Sequence, residues 1–225
     1  MNVVLEWTGK NWLGMIIVIL VAWWILKNWN KIDKLLHKKE WADKGSAGER
    51  VLYNFLTNEL AYPRSMIYRN VLVGDVDGSR AEIDMVLLHA HGVVVFEMKN
   101  YSGEIFGDEK NRHWGNRVGK RTYKFYNPIM QNERHIEVLR KKLGNEGLRF
   151  YSVVVFGEKA TIRKMNYTAK NTWVGKMSGL KKVDKMIRSG SKMRLGGDGE
   201  EAKRIKGFLR RAERERVEVL DSRAR

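Results

Sequence analysis

The chain has 225 residues, of which 43% are hydrophobic and 31% are charged, a balance typical of globular proteins rather than disordered ones. Its formal net charge of +17 is large for this length and favours a polyanionic partner, either nucleic acid or an anionic membrane surface. The absence of cysteine excludes disulfides and cysteine-based zinc sites. This length predicts one domain of catalytic size with appendages.

The first predicted element is an apolar run without any charge between Lys10 and Lys27. It predicts a transmembrane helix over about residues 11–28, within an N-terminal membrane anchor of residues 1–30. A signal peptide would need small residues at its cleavage site, where this run has Trp23 and Trp24. An interfacial or core helix is the other alternative. Lysines cluster after the run, so the positive-inside rule predicts a single-pass protein of the cell membrane with a cytoplasmic C-terminal domain.

A basic segment over residues 31–44 predicts a juxtamembrane helix that either lies on lipid headgroups or serves as a solvated spacer. Ser46 and Glu49 then have capping-box spacing at the start of a helix that ends before Pro63. The pattern that follows predicts an α/β domain with a mixed central sheet flanked by helices, over residues 45–158, and a C-terminal extension with a strand and helices over residues 159–225. Predicted strands cover residues 66–73, 81–89, 92–99, 150–156 and 172–174, with short strands between 103 and 125; predicted helices begin near 129, 178 and 200.

Two acids and a lysine mark the ends of two neighbouring predicted strands. Asp84 lies near the end of one apolar run, and Glu97-Met98-Lys99 closes the next run thirteen residues later. If the runs are adjacent strands, the three side chains meet at one end of a sheet. Two carboxylates beside a lysine are suited to hold a divalent cation and activate water against a phosphodiester. An exposed strand edge with one ion pair is the alternative, but unpaired charge is costly inside runs this apolar.

Several motifs in order resemble the NERD (nuclease-related) domain over about residues 45–155: Gly48-Glu49, Ala81-Glu82-Ile83-Asp84, Gly92 to Asn100, Gly103, Trp114 and Asn127-Pro128-Ile129 with Gln131-Asn132. The resemblance implies the restriction-endonuclease-like PD-(D/E)XK fold and nuclease activity with Mg²⁺ or Mn²⁺. It implies that Asp84, Glu97 and the Met98 carbonyl bind the metal and that Lys99 is the catalytic lysine. Glu49 would be an additional acid and metal ligand, and Gln131 the polar residue of the second core helix.

Other polar residues admit two interpretations. Glu49 is equally explained by capping its own helix, and Gln131 by a place on a helix surface. Glu82 either reaches the site or pairs with a nearby basic residue. His89 and His91 flank a turn, and we expect solvated histidines there rather than zinc ligands.

A basic segment follows the predicted site and is interleaved with aromatic residues. Its cations are expected to bind nucleic acid, or else to coat a solvated hairpin whose aromatics cover the core; they are Arg112, Arg117, Lys120, Arg121 and Lys124. The alternating arginines and glutamates between Arg210 and Glu218 are better suited to ion pairs on a solvent-facing helix.

The leading interpretation is therefore a membrane-anchored, Mg²⁺-dependent nuclease whose partner is nucleic acid, with DNA favoured. Two alternatives from other classes remain. One is a catalytically silent nucleic-acid-binding or protein-binding module with the same fold. The other is a membrane-surface scaffold whose positive charge serves anionic lipids.

Overall fold

A five-stranded mixed sheet lies at the centre of the unit that spans Gly45–Arg225. The computed structural model describes residues 18–24, 27, 47–74, 78–144, 147–190 and 199–223. The sheet order is β1-β2-β3-β7-β9, with β1 and β2 antiparallel to their next neighbours and β3, β7 and β9 mutually parallel. Its strands are β1 (Ile67–Gly74), β2 (Arg80–His89), β3 (Gly92–Lys99), β7 (Phe150–Phe156) and β9 (Thr172–Lys176).

Helices cover both faces of this sheet. These helices are α1 (Ala47–Asn54, continued by a π-helical turn Phe55–Glu59), α2 (Pro128–Leu143), α3 (Leu180–Gly190) and α4 (Glu200–Arg223). Val93 and Val95 face α2 and α4, whereas Val94 and Phe96 face α1 and α3. Burial on both faces explains why β3 reads as a continuous apolar run instead of an alternating one. The predicted central sheet with flanking helices is confirmed.

A second, four-stranded mixed sheet has the order β6-β5-β4-β8. It consists of β4 (Gly103–Asp108), β5 (His113–Val118), β6 (Arg121–Tyr126) and β8 (Ala160–Asn166). Ile105 and Trp114 of this sheet pack with Phe156 of β7 in a common buried cluster. The short strands predicted between 103 and 125 are present, but β8 was not predicted from the sequence.

Helix α2 begins and ends where the sequence predicts it. The Asn127 side chain accepts a hydrogen bond from the Ile129 N–H at 2.9 Å, and Pro128 occupies the first turn, where its missing N–H costs nothing. Gly144, with a φ of 59°, closes the helix in a left-handed conformation that favours glycine.

The C-terminal helix α4 packs on β1, and its Ile205, Leu209 and Ala212 join the buried cluster on that face of the sheet. Its polar residues also bind the strands. Glu213 Oε1 accepts from the Arg69 N–H at 3.0 Å, and Arg216 pairs with Glu82 at 2.5 Å. The prediction of ion pairs along a solvent-facing helix is therefore wrong for Glu213 and Arg216, which bind β1 and β2 instead.

The N-terminal unit, Met1–Lys44, is described only in part. Residues 18–24 and Lys27 are helical, and Val18, Ile19, Leu20, Val21, Trp23 and Trp24 are 50–67% exposed. Over the stretches that the structure describes, no helix has the length and apolar character required to cross a membrane. Most of the predicted span 11–28 lies outside the described residues. So do the predicted juxtamembrane helix 31–44 and the predicted N-cap Ser46.

Candidate active site

The two central strands β2 and β3 separate at the acids. Their last ladder pair is Met85 with Phe96. Beyond it, β2 continues to pair with β1 alone and β3 with β7 alone. The next position in this register holds Asp84 on β2 and Glu97 on β3. Asp84 and Glu97 therefore line an opening between β2 and β3, while β2 stays hydrogen-bonded to β1 and β3 to β7.

Asp84 replaces a missing backbone partner in this opening. The Met98 N–H donates to Asp84 Oδ2 at 2.7 Å. In an extended strand the N–H and C=O of one residue point to the same edge, so the Met98 carbonyl faces the same opening. Asp84, Glu97 and the Met98 carbonyl, three of the four groups predicted to bind metal, are all at this opening.

Lys99 is fixed between an acid and an amide. Its Nζ lies 2.7 Å from Glu97 Oε1 and donates to Gln131 Oε1 at 3.1 Å. Glu97 is 2% exposed, and Lys99 is 16% exposed at its side chain. The structure thus brings Gln131 of α2 to the predicted catalytic lysine, where a lysine with three donors keeps one for another acceptor.

Burial and mutual repulsion disfavour the charged forms of the two acids. Burial, and next the charge of Glu97, raises the pKa of Asp84 to about 8, and Glu49 of α1 adds to the rise. Burial also raises the pKa of Glu97, although Lys99 opposes the shift. Desolvated carboxylates of like charge are stabilised by a nearby cation.

The donor set at the opening fits a hard divalent cation. Glu97 Oε2 is buried, and no described residue gives it a hydrogen-bond partner. The groups around it are carboxylate and carbonyl oxygens, the ligands that Mg²⁺ prefers. Across the parts of the chain that the structure describes, no three or more His, Asp and Glu side chains form a metal-binding group. Glu49 is near enough to act electrostatically but is not part of such a group.

His135 is a neighbour of the site that sequence reasoning missed. Its Nδ1 lies 3.6 Å from Glu97 Oε2, and its side chain is 8% exposed. Burial, and next the charges of Lys99 and Arg134, lowers the pKa of His135 to about 4, so the imidazole is neutral and the contact is not an ion pair. Its place four residues after Gln131 on the same helix face was the available signal.

Asn132 positions the strands beneath the site. Its Nδ2 donates to the Val95 carbonyl at 2.8 Å and to Ser152 Oγ at 3.0 Å, and the residue is fully buried. These bonds fasten α2 to β3 and β7 next to Gln131. The amide therefore sets the height of α2 over the opening.

Two other polar predictions have clear outcomes. Glu82 pairs with Arg216, which is the second of its two interpretations. The expectation of solvated histidines is wrong for His89, which is 5% exposed and contacts Tyr62 and Asp184. Tyr62 and α3 cover the hairpin, and nothing in the local turn pattern indicates that cover.

The basic residues predicted to bind nucleic acid lie on or beside the β5–β6 hairpin of the second sheet. Arg112, Lys120 and Arg121 are exposed, as are Arg117 and Lys124. By strand alternation Arg117 and Lys124 share one face, whereas Arg121 is on the other. Arg117 binds Glu104, with its Nε 2.6 Å from Oε2. The five cations are therefore divided between two faces and two turns.

Comparisons with known proteins indicate the family of this chain. The family model described as "Nuclease-related domain" matches residues 44–157. An uncharacterized protein of Bacillus anthracis is 32% identical over 158 residues, which are 70% of this chain and 71% of that protein. No solved structure matches the chain.

Proposed function

Because the chain belongs to the nuclease-related domain family, we propose that it is a membrane-anchored nuclease that hydrolyses phosphodiester bonds of nucleic acid, with DNA favoured, with Mg²⁺ or Mn²⁺ bound at Asp84 and Glu97. One observation carries the proposal: the β2–β3 ladder ends where two desolvated carboxylates face each other beside a lysine. A structural role alone does not explain why these costly groups lie together. The order of strands and helices around them also suits the restriction-endonuclease-like superfamily.

Asp84, Glu97 and the Met98 carbonyl would hold the cation. When bound, the cation would lower the pKa of water and offset the negative charge of the phosphate. Lys99 would donate its remaining N–H to a phosphate oxygen that gains charge, while Glu97 and Gln131 keep its Nζ in place. Asp84 is aimed by the Met98 N–H, so its geometry depends on main chain rather than on a mobile partner.

The test is cutting of supercoiled plasmid and of single-stranded DNA by the full chain with Mg²⁺ or Mn²⁺. Asp84→Asn keeps an acceptor for the Met98 N–H but loses the charge, so we expect cutting to fall by about 100-fold or more. Glu97→Gln and Lys99→Met should have effects of similar size. Glu82→Gln, two residues from Asp84 on the same strand, is the matched control and should retain activity.

Asp84→Asn also separates a catalytic role from a structural one. Removing a desolvated charge should leave the thermal midpoint of the metal-free chain unchanged or higher. An inactive variant that unfolds much earlier than the wild type would indicate a structural role. Cutting that survives Asp84→Asn, or a wild type that cuts nothing with either metal, would contradict the nuclease.

A catalytically silent binding module is the second candidate. It is favoured by one observation, the 2.7 Å contact in which Lys99 already compensates the charge of Glu97. Such a module would bind nucleic acid with equal affinity in the wild type and in Asp84→Asn, without cutting it. The two assays together therefore decide between the candidates.

A further inference from the structure

The second sheet turns one face towards solvent, and this outer sheet face is unusual in composition. Ile105 and Trp114 point into the core, so their strand neighbours point outwards. The outer sheet face, defined by this alternation, includes Glu104, Phe106, Asp108, His113, Arg117, Thr122, Lys124, Tyr126, Thr161 and Arg163. It thus combines aromatic rings with cations.

Three aromatic rings lie on this face. Phe106 is 37% exposed and Tyr126 is 44% exposed. His113 and Tyr126 are cross-strand partners whose rings meet edge to face, with 6.4 Å between centroids. The Phe106 ring lies over Gly115, where an added Cβ would be 2.4 Å from ring carbons. The Phe106 ring therefore fills the space above Gly115, in the same row as Lys124, the cross-strand partner of Gly115 on β6.

The cations Arg117, Lys124 and Arg163 outnumber the carboxylates on this face, Glu104 and Asp108, and Asp108 accepts from the Lys110 N–H and from Asn166 Nδ2. Glu104 accepts from Arg117 through one oxygen and from Arg163 through the other, with Arg163 Nε at 2.8 Å. A guanidinium has five N–H donors, so both arginines keep donors for a further acceptor. Lys124 is exposed. The positive sign suits a polyanion.

Protection of a sheet edge does not explain the whole set. Lysine on an edge strand discourages pairing with other chains, and this accounts for Lys124 on β6. Phe106 and His113 lie on the inner strands β4 and β5, where no edge needs protection. Exposed rings beside cations are instead what a single-stranded nucleic acid requires, since its bases are free to stack.

We propose that the outer sheet face binds a single-stranded segment of nucleic acid, with bases stacked on Phe106 and Tyr126 and phosphates near Lys124, Arg117 and Arg163. The proposal rests on the proposed function for its identification of the strand as part of the substrate. Strand β4 begins four residues after Lys99, so a fully extended chain places Gly103 within about 14 Å of the lysine. The start of the second sheet is thus close to the lysine along the chain.

Binding is measured by fluorescence anisotropy with the full chain, a labelled 20-nucleotide single strand, and EDTA to prevent cutting. Phe106→Ala and Tyr126→Ala should each weaken binding by about 5-fold or more, because a stacked base contributes that much. Tyr126→Phe and Phe106→Tyr keep a ring and should bind like the wild type. The duplex of the same sequence should bind more weakly, since its bases already stack on each other.

Matched controls come from the same strand and from a distant helix. Tyr123 is 52% exposed but lies on the opposite face of β6, so Tyr123→Ala should leave binding unchanged. The slope of log K against log salt concentration should become shallower by about 0.7 in Lys124→Ala, because one phosphate contact to a single strand contributes that much. Lys181→Ala on α3 removes the same charge elsewhere and should change it less.

The proposal is overturned if the alanine variants bind normally, if Tyr123→Ala costs as much as Tyr126→Ala, or if duplex binds better than single strand. It is also overturned if the face variants dissociate an oligomer and leave oligonucleotide binding intact, because the occupant is then a second copy of the chain. Should an alanine variant unfold, Lys124→Glu on the exposed surface takes its place and must weaken binding. If the wild type binds the single strand but does not cut it, only the proposed nuclease activity is refuted. If the wild type cuts DNA and the Phe106 and Tyr126 variants bind as it does, only the proposed binding face is refuted.

Discussion

His89 illustrates how a side chain's surroundings decide its chemistry. The sequence places it beside a turn, yet its Nδ1 accepts from the His91 N–H at 3.1 Å and its Nε2 lies 3.6 Å from Asp184 Oδ1. Burial lowers the pKa of His89 to about 4, although the charge of Asp184 opposes the shift. The neutral form therefore predominates in the folded chain at neutral pH.

This burial predicts a loss of stability in weak acid. The unfolded histidine, with a pKa near 6.5, takes up a proton as the pH falls, whereas the folded one resists until about pH 4. Stability is therefore lost as the pH falls from about 7 to 4, and His89 should account for about 2 kcal/mol of the loss at pH 5. His89→Asn keeps an acceptor for the His91 N–H but has no such proton, so it should reduce the loss by that amount.

Urea unfolding at pH 7 and pH 5 measures the free energy of unfolding for wild type and variant. His113→Asn, a change at an exposed histidine of β5, is the control and should leave the pH dependence of the wild type intact. Equal pH dependence in the wild type and His89→Asn would contradict the prediction.

At the scale of elements, the β2–β3 hairpin sets the register that faces Asp84 towards Glu97. The hairpin turns at Gly92, which has a φ of 148° and pairs with His89. An added Cβ would lie 2.6 Å from the Arg149 carbonyl oxygen, which also accepts from the Val93 N–H. The turn therefore has room only for glycine.

Gly92→Ala should lower the free energy of unfolding by about 2–3 kcal/mol, because it combines backbone strain with a backbone clash. Gly74→Ala, at the end of β1 with open space around the added Cβ, should change it by less than about 1 kcal/mol. Chemical denaturation of both variants measures the difference. A Gly92→Ala chain as stable as the wild type would contradict the prediction. It would mean that the hairpin moves away from the first residues of β7 at little cost, and that Gly92 does not fix the register.

Local pattern predicts the elements of this fold better than it predicts their neighbours. The strands that carry Asp84 and Glu97 follow from apolar runs, and the limits of α2 follow from Asn127, Pro128 and Gly144. Strand β8 was missed because its sequence, with Arg163 and Lys164, resembles a loop and its partner β4 is more than fifty residues away. His135 and the cover over His89 were missed for the same reason, since each depends on packing between distant segments.

At the scale of the whole molecule, the net charge of +17 accompanies an apolar N-terminal run and many exposed lysines and arginines. Anionic lipid and nucleic acid both attract positive charge, so charge alone does not separate the two partners. Resistance to salt does distinguish an apolar membrane anchor from attraction by charge, because a spanning helix stays in the bilayer when salt screens the charges.

The predicted anchor of residues 11–28 should keep the full chain in the membrane fraction through high salt and alkaline carbonate. Asp in the centre of a spanning helix costs about 2.5–3.5 kcal/mol, so replacing both Ile19→Asp and Leu20→Asp should release the chain. The exchange Ile19→Leu with Leu20→Ile keeps the apolar character and should leave the chain bound. Release of the wild type by salt alone would favour surface attachment.

The predicted orientation is tested by labelling one introduced cysteine, because the wild-type chain contains no cysteine that would react as well. A single Lys181→Cys change on α3 adds one exposed thiol to the domain. A cytoplasmic domain predicts that a membrane-impermeant maleimide labels this thiol only after the cells are lysed. Labelling of intact cells would place the domain outside, away from the nucleic acid of its own cell, and would contradict both the orientation and the choice of substrate.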